Sequence, residues 1–155
     1  MIMRSTLIKK INNADWWHVT PSDPEAYEKR GKFFASTFTQ AEFYGRPNDI
    51  PERVSIKNPV FGFSEREILI KLFNKENARK YLAVLSDDNN THDPDWYKKR
   101  INLDARIHNR ARELGHDAIV LMGSAGKKAL LRRRKPNSIE LNVIDLSKNI
   151  KSKLI

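Results

Sequence analysis

The chain contains no cysteine, which excludes disulfides, thiolate metal sites and cysteine nucleophiles and fits a reducing cytoplasm. It also lacks long apolar runs: the longest, Ala118 to Met122, falls far short of the ~20 residues that span a bilayer. The opening stretch MIMRSTLIKKINN has no apolar signal-peptide core, so the chain reads as soluble. Two catalytic signatures are missing as well. GSAGKK lacks the GxxxxGK[ST] spacing of a phosphate loop, and no GxSxG elbow is present, which argues against a P-loop NTPase and a serine hydrolase. The four His pair with neither each other nor a carboxylate at metal-site spacing, so no metal is expected.

What is present suits one globular domain over residues 1–155. At 155 residues and 18.0 kDa the chain is long enough for a real core, and seven Phe, four Tyr and three Trp argue against disorder. The net charge of +10 is unevenly placed. Residues 1–97 hold 14 basic and 14 acidic side chains, whereas residues 98–155 hold 15 basic and 5 acidic. That asymmetry points to a polyanion, nucleic acid above all, or to a basic face that docks an acidic antitoxin.

Local patterns predict the elements in turn. Trp16 to Thr20 is a compact aromatic and β-branched strand stopped by Pro21. Ser22 or Asp23 before Pro24 opens a short helix to Arg30, which Gly31 closes. The strand Lys32 to Ala35 follows, then a polar turn from Ser36 and a helical turn ending in Phe43, Tyr44 and Gly45. A third strand is expected at Arg53 to Lys57, ended by Asn58 and Pro59. Ser64 with Glu67 forms a capping box for a helix to about Phe73, and a second helix runs from Glu76 to Leu85. The longest helix starts at Asp93-Pro94 and ends at Gly115, with Tyr97, Ile101, Ala105, His108, Ala111 and Leu114 as its apolar face. Strands at Ala118 to Met122 and Ile139 to Ile144 flank a basic loop. Short strands among uneven helices predict an α+β domain with a mixed, bent (split) sheet flanked by helices.

Three positions bear on chemistry: His18 at the end of the aromatic strand, Tyr44 after the FFA strand, and Glu140 opening ELNVID. His18-Val-Thr20, GKFFA with Tyr44 eleven residues after Phe33, and Glu140 together resemble the H-Y-E motifs of diphtheria-toxin-like ADP-ribosyltransferases, the class that includes the poly(ADP-ribose) polymerases. ELGHDAIVLM and IKNPV resemble further segments of bacterial and phage relatives, so the resemblance spans about Trp16 to Ile150. It implies an ADP-ribosyltransferase-like domain that consumes NAD+. Glu140, His18 and Tyr44 would be catalytic, and His18, Val19, Thr20, Phe33, Phe34, Ser36 and Tyr44 would bind NAD+. His18 would take the adenosine ribose and Tyr44 the nicotinamide ring. Val19 stands where the family usually has glycine, and Ala41 where polymerases carry a serine.

The resemblance further implies that Arg132, Arg133, Arg134 and Lys135, just before the Glu140 strand, meet the acceptor. Their charge suits nucleic acid, with Trp16 or Trp96 available to stack a base. The expected function is mono-ADP-ribosyl transfer to RNA or DNA by a toxin-like or phage-defence effector. The alternatives are a protein acceptor, NAD+ hydrolysis without transfer, a non-catalytic nucleic-acid-binding module, or an antitoxin-docking protein.

Overall fold

A computed structural model describes residues 4–86, 94–123 and 138–144. In chain order it contains α1 (Arg4–Asn12), β1 (Trp17–His18), α2 (Ala26–Arg30), β2 (Lys32–Ala35), α3 (Phe38–Ala41), a 3₁₀ turn (Glu42–Tyr44), β3 (Pro59–Gly62), α4 (Glu65–Leu72), α5 (Lys75–Ser86), α6 (Pro94–Glu113), β4 (Ala118–Met122) and β5 (Ile139–Val143). The strands form one five-stranded sheet in the order β1-β2-β5-β4-β3. Only β3 and β4 run parallel, joined by the α4–α6 crossover; the other neighbours are antiparallel. The architecture is α+β, a mixed sheet flanked by helices. Among the described residues no helix is long and apolar enough to cross a membrane.

Strand alternation divides the core between the two sheet faces. Ala118, Val120 and Met122 of β4 join Phe34, Ile139 and Leu141 against Leu7 and Ile11 of α1 and the fully buried Trp16. Ile119 and Leu121 point the other way, into a second cluster with Ile68 and Leu69 of α4 and Leu103, Ile107 and Ala111 of α6. Each fully buried aliphatic side chain contributes about 1.5–3 kcal/mol.

Several local signals operate as read. Ser64 accepts from the Glu67 amide, and the Glu67 carboxylate accepts in return from the Phe63 amide, one residue earlier than in the usual capping box. Gly31 ends α2 with φ of 86°.

Arg4–Asn12, for which local pattern predicts no element, is a helix seated on the sheet by Leu7 and Ile11, four residues apart. Two expectations need correction. Arg53 to Lys57 is not a strand. Its backbone is satisfied by side chains instead of a ladder: Asn12 donates to the Ile56 carbonyl and accepts from the Ile56 amide, and Asp117 accepts from the amides of Lys57 and Asn58. The strand begins later, at Pro59, where an edge position tolerates the missing N–H. The two resemblance segments around Asn58 and Asp117 thus form one structural knot, tightened by a bond from Asn58 to the Gly115 carbonyl. On α6, Tyr97, Ile101 and Leu114 are exposed while Leu103, Ile107 and His108 are buried. The buried face is centred on Leu103, Ile107 and Ala111, and it admits the charged Arg100 and Asp104 because Arg100 pairs with both Asp104 and Glu65 of α4.

Candidate active site

Glu140 lies in β5 between Ala35 of β2 and Leu121 of β4. Alternation sends Ile139 and Leu141 into the core and turns half-buried Glu140 to the face that carries α4 and α6. The preceding residue is clamped from three directions: the Ser36 amide donates to the Ile139 carbonyl, the Ser36 hydroxyl accepts from the Ile139 amide, and Gln40 Nε2 donates to the same carbonyl. Ser36 also donates to Gln40 Oε1 at 2.7 Å. Ser36 is buried with its hydroxyl engaged on both sides, so it positions the Glu140 strand rather than presenting itself to a ligand.

Thr37 caps α3 by accepting from the Gln40 amide. The helix passes directly into the 3₁₀ turn, which carries Tyr44 over the sheet, and the Tyr44 hydroxyl donates to Glu140 Oε1. Gly45 ends the turn at φ of 145°, and a Cβ there would lie 2.9 Å from Val19 Cγ1; only glycine lets the turn sit so close to β1. Tyr44 keeps 64% of its surface exposed. Its phenol is nonetheless held above the ordinary tyrosine range, first by desolvation and then by the hydrogen bond and charge of Glu140.

Beside this pair opens a cleft of about 320 Å³ lined by Gln40, Phe63, Ser64, Glu65, Leu121, Gly123, Ser138 and Glu140, within the size range of small-molecule sites. Its Glu65 wall is braced by Arg100, which donates from two nitrogens at 2.9 and 2.6 Å, while Asp104 takes the same guanidinium at 2.6 Å. Burial alone would lower the Arg100 pKa; the bonds to the two carboxylates reverse this and raise it. Desolvation raises Asp104, with Arg100 pulling it back. A larger groove, about 780 Å³ between α5 and α6, contains none of these residues.

His18 lies elsewhere. It pairs with Phe34, which pairs with Leu141, whereas Trp17, Ala35 and Glu140 share the opposite face. Its ring stacks near Phe34 at 5.4 Å and is buried. Nδ1 lies 2.7 Å from the Phe33 carbonyl and Nε2 lies 2.9 Å from the Tyr27 hydroxyl. A carbonyl only accepts, so Nδ1 carries the proton and Nε2 accepts from Tyr27. Desolvation lowers the His18 pKa, opposed by the Phe33 carbonyl. The ring nitrogen that a ribose hydroxyl would need is therefore already engaged.

The remaining sequence candidates divide in the same way. Val19 sits under Gly45, beside the Tyr44 turn. Thr20 is exposed and donates to Asn48, whose amide donates to the His18 carbonyl. Phe33 is exposed and Phe34 is core. Ala41 is buried and offers nothing to a ligand. Trp16 is fully buried with Nε1 donating to the Ile11 carbonyl, so the expectation that it stacks a base is corrected. Trp96 is half-buried against Tyr97. Arg132 to Lys135 lie outside the described residues.

The structure therefore unites Tyr44 and Glu140, with Val19 beside them, and sets His18 and Phe34 on the other side of the sheet. Sequence reasoning missed Gln40, Glu65, Arg100, Asp104 and Tyr27. The four-residue spacing of Arg100 and Asp104 was the one available signal, and it could not reveal Glu65. Among the described residues no group of three His, Asp or Glu converges as a metal site requires. No protein-family model, curated protein or solved structure matches the chain.

Proposed function

We propose that the chain is a mono-ADP-ribosyltransferase that cleaves NAD+ at the nicotinamide–ribose bond and transfers ADP-ribose to a nucleic acid. The observation that carries this reading is the hydrogen bond from Tyr44 to Glu140 at the edge of the cleft: an exposed aromatic ring and a strand-borne carboxylate, 96 positions apart, meet beside one cavity, and they are two of the three groups on which the resemblance rests.

The chemistry suits these groups. Cleavage of an N-glycosidic bond develops positive charge on the ribose, as glycoside cleavage does. A carboxylate fixed beside that ribose stabilises the charge, and Glu140 is fixed by the Ser36 and Gln40 clamp on Ile139. The Tyr44 ring offers a flat face for the nicotinamide, worth about 0.5–1.5 kcal/mol beyond area burial. Gln40, Ser64 and Ser138 supply polar groups around the same cleft. His18 serves as a positioning residue that ties β1 to β2 and α2; direct binding through it requires Tyr27 to yield Nε2.

The full chain is incubated with NAD+ labelled in the adenine moiety, together with RNA, single-stranded DNA or cell protein. Nicotinamide release and label on the nucleic acid are expected, with both lowered about 100-fold or more in Glu140→Gln. Undiminished turnover in that variant overturns the assignment. Label on protein redirects the acceptor, and free ADP-ribose alone replaces transfer with hydrolysis. A second reading, a non-catalytic nucleic-acid-binding module, draws on the engaged nitrogens of His18; nucleic-acid binding with no NAD+ turnover supports it.

A further inference from the structure

The groove of about 780 Å³ between α5 and α6 is distinct from the Glu140 cleft. Asn102, Arg106 and Asn109 recur along α6 at four- and three-residue spacing and share one face, with Asn77 of α5 also lining the groove. At about 100° per residue that face lies opposite the one carrying Arg100 and Asp104, so the helix lines this groove with one face and braces Glu65 of the other cleft with the opposite face. The side-chain amides of Asn77, Asn102 and Asn109 have no hydrogen-bond partner among the described residues. Arg106 is exposed and lies 5.2 Å from the centre of the Tyr81 ring; it has no carboxylate partner among the described residues. The groove's single acidic side chain, Glu113, is paired with Arg110 at 3.2 Å.

An array of unspent amides around an uncompensated cation suits a ligand with hydrogen-bonding edges and an anionic backbone. Asparagine offers a donor and an acceptor side by side, the pattern that reads base edges, and a guanidinium takes phosphate. The apolar anchors that a protein partner needs at the centre of an interface are nearly absent, Phe73 being the one large apolar residue of the lining. Edges reach such a groove when the bases are unpaired.

We propose that the α5–α6 groove binds single-stranded nucleic acid, with Asn77, Asn102 and Asn109 meeting base edges and Arg106 a phosphate. This names the acceptor class of the proposed transferase and rests on that reading only for the link to catalysis, since binding is measured without NAD+. The test is fluorescence anisotropy of the full chain with short labelled single-stranded RNA and DNA, the corresponding duplex, and an acidic peptide, across a salt series. Asn102→Ala with Asn109→Ala is expected to weaken single-strand binding about 10-fold at unchanged salt slope. Arg106→Gln is expected to weaken it about 3- to 10-fold and to reduce the slope of log K against log salt by ~0.7. All three positions are exposed, and circular dichroism checks that the variants fold. Wild-type affinity in both variants, with binding lost when Arg132 to Lys135 become Ser, overturns the proposal in favour of the basic loop. Absence of single-strand binding, or equal sensitivity of peptide binding to the same variants, also overturns it.

Discussion

The Tyr44 hydroxyl donates a hydrogen bond to the Glu140 carboxylate, tying the 3₁₀ turn to the fifth strand across 96 positions of sequence. Burial, and after it this bond and the charge of Glu140, hold the phenol above the ordinary tyrosine range, and the bond gives the carboxylate a partner that any ligand hydroxyl would have to replace.

That bond has a signature in alkaline titration. The Tyr44 pKa is raised, so its stabilising contribution is fully present below the ordinary tyrosine value of about 10 and is lost as pH climbs through the raised one. The spectrophotometric phenolate curve should show one of the four tyrosines ionising above the others. Tyr44→Phe should remove that last step, and Glu140→Gln should move it down. A late step that survives in Tyr44→Phe belongs to another tyrosine and rules the assignment out.

His18 predicts the opposite pH response. Its pKa is lowered, chiefly by burial, so its neutral form stabilises the fold above the unfolded value of about 6.5, and that contribution is lost as pH falls below it. The melting temperature should fall between pH 7.5 and pH 5, and His18→Gln should flatten part of that fall. Tyr27→Phe, which leaves Nε2 buried without its donor, should cost about 1–3 kcal/mol in urea unfolding at pH 7.5. An unchanged midpoint would show that the bond contributes nothing.

Arg100→Met removes the cation that Glu65 and Asp104 share. The loss should be about 2 kcal/mol at pH 7, below the ~3–5 of a fully buried pair because all three side chains retain some exposure. Burial already raises Asp104, and its raised pKa favours the folded state when the group is protonated, so the deficit should shrink as pH approaches 4. Chemical denaturation of both proteins from pH 4 to 7 measures this; a pH-independent difference would contradict it.

Gly31→Ala should destabilise by about 2–4 kcal/mol. Its φ of 86° is costly for any residue with a Cβ, and that Cβ would collide with Asn142 Oδ1. Asn142 cannot easily move aside, because its Nδ2 donates to the Arg30 carbonyl at 2.8 Å and closes α2. Urea unfolding provides the check, and a loss under 1 kcal/mol would mean the loop relaxes freely.

Nearest-neighbour chemistry was enough to place Lys32 to Ala35 and Ala118 to Met122 as strands, to cap α4 with Ser64, and to break the chain at Gly31 and Gly115, because strand alternation, capping and positive φ act within a few residues. Tyr44 and Glu140 are joined as candidates only by the family resemblance, since local pattern alone reads them as an aromatic turn residue and a strand glutamate. Local pattern could not show that Arg53 to Lys57 spends its backbone bonds on the side chains of Asn12 and Asp117, since those partners lie 44 and about 60 positions away. Nor could it orient α6, whose buried face depends on Glu65 receiving Arg100 from another helix. His18 and Glu140 parted for a similar reason. Their sheet faces follow from the pairing register of β1, β2 and β5, and shifting that register by one residue exchanges every side chain between faces. Periodicity along the chain supplies the alternation, but only the assembled sheet sets its phase.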